Sequence, residues 1–170
     1  MPINIHPLRD RDILDLRTWS YPPPYDMYSM EYIPIDEALE FFKDPENGYF
    51  GLSDGLDSLI GFCNYGYDAQ VQGGDYSEDA VDIGIGIRPE LTGHGSGSRY
   101  AAFVFGEARR RFPGKPLRVT IAAFNQRAQR VCEVHGFIQT ERITRPSDGK
   151  EFVVMRAQPW PESLVPKRSS

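Results

Sequence analysis

Short runs of alternating apolar and polar positions, broken by Pro, Gly and Asp, dominate the chain, and helical spacing takes over in a few stretches. "INIHPL" (3–8) alternates as a half-buried strand does. "DRDILDLRTW" (10–19) sets Ile13, Leu14 and Leu16 at mixed helical spacing, and "DEALEFFKD" (36–44) reads as a helix opened by Asp36 as N-cap. Between them, "SYPPPYDMYSMEYIP" (20–34) cannot continue a helix through three consecutive prolines, yet it carries Tyr21, Tyr25, Tyr28 and Tyr32. "GYFGLSD" (48–54) and "SLIGFCNYGYDAQ" (58–70) read as the arms of a hairpin, and 72–80 as a polar loop. "VDIGIGIRP" (81–89) is a strand ended by Pro89. Ala101, Val104, Ala108 and Phe112 predict a helix over 98–112, and Leu117, Val119 and Ile121 a strand over 117–124. A helix over 125–137 is capped by Asn125 and closed by Gly136, and 138–157 holds two strands about an Asp148–Gly149 turn. This order predicts a mixed α/β sheet. With no internal repeat and no dividing linker, residues 1–157 are expected to form one domain, followed by a loose tail over 158–170.

Composition narrows the classes. A chain of 170 residues is large enough for a sizeable core, and a net charge of −5 lacks the basic stripe a nucleic-acid surface needs. Two cysteines, Cys63 and Cys132, stand far apart, which fits a reducing cytoplasm without structural disulfides. His6, His94 and His135 show no metal-ligand spacing, so no metal is expected. The N-terminus carries charges where a signal peptide needs an apolar core, and no apolar run is long enough for a membrane span.

The chemistry concentrates in "GIGIRPELTGHGSGSRYAAFV" (84–104), where a glycine-rich turn follows a strand and feeds a helix. The unpaired N–H groups of a helix start and the helix dipole together favour an anion, and glycines let it approach the backbone. Three phosphate or nucleophile motifs fail on residue identity. From Gly93 the sixth position of a dinucleotide fingerprint is Ser98, a P-loop would need a lysine, and "GHGSG" has its serine one place late for a nucleophile elbow.

"RPELTGHGSGSRYAAF" resembles the acetyl-CoA loop of the GCN5-related N-acetyltransferase (GNAT) superfamily, Q/R-x-x-G-x-G/A, on Thr92, Gly93, His94, Gly95, Ser96 and Gly97. Thr92 departs from the usual Gln or Arg. "FNQRAQRVCEVHGF" (124–137) is similar to the superfamily's second signature at Asn125, Ala128, Val131, Gly136 and Phe137, with Cys132 at its tyrosine position. The aromatic "WSYPPPYDMY" also resembles a segment of one bacterial branch.

The resemblance implies a mostly antiparallel, splayed sheet of six to seven strands with flanking helices, acetyl-CoA as donor, and transfer to a primary amine on a small molecule or peptide by direct attack in a ternary complex. It allows a homodimer. Gly93 to Ser98 would hold the donor's diphosphate with Thr92 and His94 beside them. The backbone of Ile85 to Arg88, with Ile87 foremost, would pair with its pantetheine arm, and Asn125 would touch that arm as well as capping its helix. Asp82 is the candidate general base. Cys132 is either the acid for the leaving thiolate or a small core residue. Trp19, Tyr25 and Tyr28 are candidate acceptor contacts, their faces suited to a cationic amine. Two alternatives stay open: a non-catalytic acyl-CoA sensor on the same fold, and a nucleotide-dependent protein of another fold.

Overall fold

The computed structural model describes residues 2–165 and 167. Among these are seven strands and four α-helices in the order β1 (Asn4–Pro7), α1 (Asp10–Leu16), α2 (Ile35–Lys43), β2 (Tyr49–Ser53), β3 (Leu59–Tyr65), β4 (Val81–Ile87), α3 (Gly97–Arg111), β5 (Leu117–Ala122), α4 (Gln126–Val134), β6 (Ile138–Thr144) and β7 (Glu151–Ala157). The mixed α/β expectation holds. Contacts divide the chain into two compact units, Met1–Asn64 with Ile85–Gly97 and Tyr65–Gly84 with Ser98–Ser170, a division that no linker or composition shift announces.

In the first unit β1 lies antiparallel to β2, with Asn4 opposite Ser53, and β2 antiparallel to β3, with Tyr49 opposite Asn64. The second half of β4 continues this ladder through the Arg88 N–H, which donates to the Ile60 carbonyl at 2.9 Å. One face is covered by α1 and α2, which bury Ile13, Leu16, Ala38 and Phe42 against Leu8, Trp19 and Leu59. The α1 entry is fixed from one side: the Arg9 amide and guanidinium both donate to the carboxylate of buried Asp12. Helix α2 starts at Ile35, so Asp36 stands in the first turn rather than at the cap; Pro34 takes the cap position, where its extended backbone turns the chain into the helix.

Gly86 explains why a strand carries a residue without a side chain. A Cβ there would lie 2.2 Å from the Phe62 ring, which itself stacks 6.1 Å from Trp19. The space left by its missing side chain is taken by this ring.

In the second unit β5, β7 and β6 form an antiparallel ladder, from Leu117 opposite Ala157 to Thr144 opposite Glu151, with a register shift between Gln139 and Glu141. Strand β4 joins β5 in parallel at Val81–Leu117 and Asp82–Arg118, the register pairs found among the described residues. Helix α3 buries Ala101, Val104, Phe105 and Ala108, with the Phe105 ring 4.7 Å from that of Phe137, and Val119 and Val153 to Met155 are buried in the same unit. The tail expected to be loose is anchored at its start: the Arg109 guanidinium donates to the Gln158 carbonyl at 3.1 Å and lies under the Trp160 ring. Its last residues, 166 and 168–170, fall outside the described residues.

Candidate active site

The chain leaves β4 at Ile87 and makes one tight turn over Pro89–Leu91. Thr92 closes that turn, its amide and its hydroxyl both donating to the Pro89 carbonyl, at 3.2 and 2.7 Å. The single hydroxyl proton of Thr92 is therefore used inside the loop, not offered to a phosphate as its place in the motif suggested. Gly93 and Gly95 follow at φ of +77° and +78°, a backbone region that other residues enter only under strain. Gly97 opens α3. A Cβ built on Gly95 or Gly97 meets nothing within 4 Å. Among the described residues, the amides of 93–98 donate to no protein acceptor. The positive end of a 15-residue helix adds to them. Amides without a protein acceptor beside bare glycines suit an anion. His94 is exposed; Ser96 and Ser98 are half-buried.

In β4, residues alternate in the side to which their backbone groups point. The Arg88 N–H and the Gly86 carbonyl both face β3. Ile85 and Ile87 therefore turn their N–H and C=O groups the other way, where an extended ligand could pair with the Ile85 groups and the Ile87 N–H, the Ile87 carbonyl already accepting from the Tyr21 hydroxyl. Arg88 drops out of that set: its amide serves Ile60, and its guanidinium donates to the Leu59 carbonyl at 2.7 Å, pairs with Asp15 and lies 4.9 Å over Trp19. Trp19 is 4% exposed and belongs to the core of its unit, so it packs against Arg88 and Phe62 instead of meeting an acceptor. Tyr25 and Tyr28 form a half-buried 3-10 turn in the aromatic segment. That segment is pinned by Tyr21, whose hydroxyl donates to the Ile87 carbonyl at 2.6 Å and whose ring meets Tyr28 edge-on. Burial pushes the Tyr21 phenol up to about 12. The sequence reading missed this contact; only the count of tyrosines in the segment hinted at it.

Asp82 is 6% exposed and faces Arg118, its register partner on β5. The guanidinium donates to its two oxygens at 2.6 and 2.8 Å, and the Gln70 amide adds a third bond at 2.9 Å. Both oxygens are committed, which favours a buried ion pair over proton abstraction. Cys132 is 6% exposed, and burial pushes its thiol up to about 12, so it holds its proton too tightly to protonate a leaving thiolate readily. The core reading of Cys132 suits this environment. Asn125 caps α4, its side-chain oxygen accepting from the Ala128 amide at 3.2 Å. Ser98 and His135 are also joined, the ring Nε2 standing 3.1 Å from the Ser98 hydroxyl and 3.1 Å from its carbonyl. Among the described residues no cluster of His, Cys, Asp or Glu could hold a metal, and no helix is long and apolar enough to cross a membrane.

The model of the acetyltransferase (GNAT) family matches residues 11–137, a span that contains both the loop and the α4 signature. The chain belongs to this family and is by that membership an acyltransferase. No curated protein matches the sequence. Among solved structures it is similar to a chimera of the spermidine N-acetyltransferase SpeG from Vibrio cholerae and hSSAT, at 17% identity and a TM-score of 0.74, covering 93% of this chain and 96% of that one. It is also similar to mutant forms of the spermidine/spermine N-acetyltransferase SpeG from Vibrio cholerae, at 16% identity and a TM-score of 0.65, covering 92% and 95%. At such identities these likenesses establish the fold.

Proposed function

We propose that the protein transfers an acetyl group from acetyl-CoA to a primary amine by direct attack in a ternary complex. The observation that carries this is the open Gly93–Ser98 turn at the start of α3, within the segment matched by the family. The donor supplies an activated acetyl thioester. In this reading the amides of Gly93, His94, Gly95, Ser96, Gly97 and Ser98 hold its diphosphate, and the backbone groups of Ile85 and the Ile87 N–H pair with its pantetheine arm as an added strand would. Asn125 marks the other expected contact to that arm. Tyr25 and Tyr28 supply aromatic faces to the acceptor. Asp82 keeps β4 in register through Arg118, so the attacking amine loses its proton to solvent or through a water relay. The small-molecule amines acted on by the SpeG proteins make polyamines the first acceptors to try. A reducing cytoplasm suits the two buried thiols, Cys63 and Cys132.

The test is release of CoA thiol over a panel of polyamines, lysine peptides and aminoglycosides, beside calorimetric binding of CoA. Turnover on any acceptor supports the enzyme. A protein that binds no CoA ends the reading. The second reading, a non-catalytic acyl-CoA sensor, is favoured by one observation, the buried high-pKa thiol at the family's tyrosine position. Tight CoA binding without turnover on the whole panel would select it.

A further inference from the structure

The geometry of the Ser98–His135 contact, within the second unit, fixes where its protons sit. Ser98 is the second residue of α3, and His135 follows the last turn of α4. The His135 Nε2 stands at 3.1 Å from both the Ser98 carbonyl oxygen and the Ser98 hydroxyl oxygen. A carbonyl oxygen can only accept, and an unprotonated ring nitrogen facing it would set two lone pairs against each other. Nε2 therefore carries a hydrogen, which it shares between the two oxygens of Ser98. The hydroxyl oxygen is then an acceptor toward the ring, and its own proton must point elsewhere.

We propose that His135 is a positioning residue for Ser98: by donating from Nε2 it turns the Ser98 hydroxyl into an outward donor for a phosphoryl oxygen of the acyl donor. Without that ring, a serine this early in a helix commonly donates to a backbone carbonyl of its own segment. The ring is held for the task. The His135 amide donates to the Cys132 carbonyl at 3.0 Å, and its imidazole meets the Phe105 ring edge-on at 5.8 Å. The proposal rests on the reading that the turn before α3 takes the donor's diphosphate.

Two measurements test it. Nitrogen-15 spectra of ring-labelled protein at pH 8 resolve three histidines, with His135 assigned by its loss in His135→Gln. A protonated Nε2 is expected, and a bare Nε2 would overturn the proposal. In calorimetry, His135→Leu should weaken CoA binding about 10- to 100-fold, the scale of one hydrogen bond to a charged group. His135→Gln, which restores an N–H donor, should stay within about twofold of wild type. In a Ser98→Ala background, His135→Leu should weaken binding no further, an outcome that a merely structural tether between α3 and α4 would not produce. Wild-type binding with His135→Leu unchanged, or with equal losses in both backgrounds, overturns this proposal alone. Wild type that binds no CoA overturns the donor reading and this proposal with it.

Discussion

Replacing Asp82 by Asn separates two roles for one carboxylate. Asp82 and Arg118 are 6% and 3% exposed, joined through two guanidinium bonds of 2.6 and 2.8 Å. Among the described residues, Arg118 otherwise donates to the Glu78 carbonyl, at 2.9 Å, and lies 4.9 Å over the Tyr76 ring, neither of which carries a negative charge. Asp82→Asn would therefore deprive a buried cation of its hydrogen-bonded anion, leaving it only the more distant charges of Glu78 and Asp75. Removing one partner of a buried pair costs about 3–5 kcal/mol, and asparagine, which keeps one acceptor oxygen, belongs near the lower end. For a chain of this length each kcal/mol moves Tm by about 2–4 °C, so a fall of about 6–12 °C is expected. Activity per folded molecule, measured well below the new Tm, should stay within about twofold, whereas loss of a general base would cost about 10²–10⁴ in rate. A charge-free pair, Asp82→Leu with Arg118→Met, should regain most of the lost stability. Calorimetric melting beside steady-state kinetics reads both quantities. An unchanged Tm with turnover down a hundredfold would refute the ion-pair argument and restore Asp82 to the base role.

Gly95→Glu has open space for its side chain, so the protein should fold with a modest loss from the positive φ, yet lose CoA binding in calorimetry; retained affinity would mean that the turn does not hold the donor. Gly86→Ala drives a methyl to 2.2 Å from the Phe62 ring, and a Tm drop of several degrees should appear in thermal melts; a neutral result would mean that ring moves freely. Cys132 keeps its proton in the folded state up to about 12, while the unfolded chain ionises it near its ordinary 9, so its contribution is whole below about pH 9 and lost as pH rises toward 12. Denaturant melts should show that alkaline decline and its reduction in Cys132→Ala, and thiol reagents at pH 8 should label Cys132 only as fast as the protein opens.

Local signals found most elements. The Asn125 cap, the left-handed Gly136, the Asp148–Gly149 turn and the apolar stripe of α3 all depend on near neighbours in the chain, and all stand as expected. What escaped depends on pairing between distant segments. No spacing rule tells that Asp82 lands opposite Arg118, because that register is set when two strands meet in parallel. Trp19 reads as an acceptor contact beside prolines until α1 and α2 close over it. Thr92 looked like a ligand because of its place in a motif, whereas the turn at Pro89 claims its proton. The glycine-rich turn could be read from its own residues, but the Ser98–His135 contact could not.

Shortening this protein for expression has a cost that its sequence conceals. Arg109 is 4% exposed, burial lowers its pKa, and its Nε has no hydrogen-bond partner. A stop codon straight after Ala157 would delete the Gln158 carbonyl and the Trp160 ring, the acceptor and the aromatic face that guanidinium does have. Expression versions cut to the end of β7 should melt earlier than those that run through Trp160, even though no catalytic group has been touched.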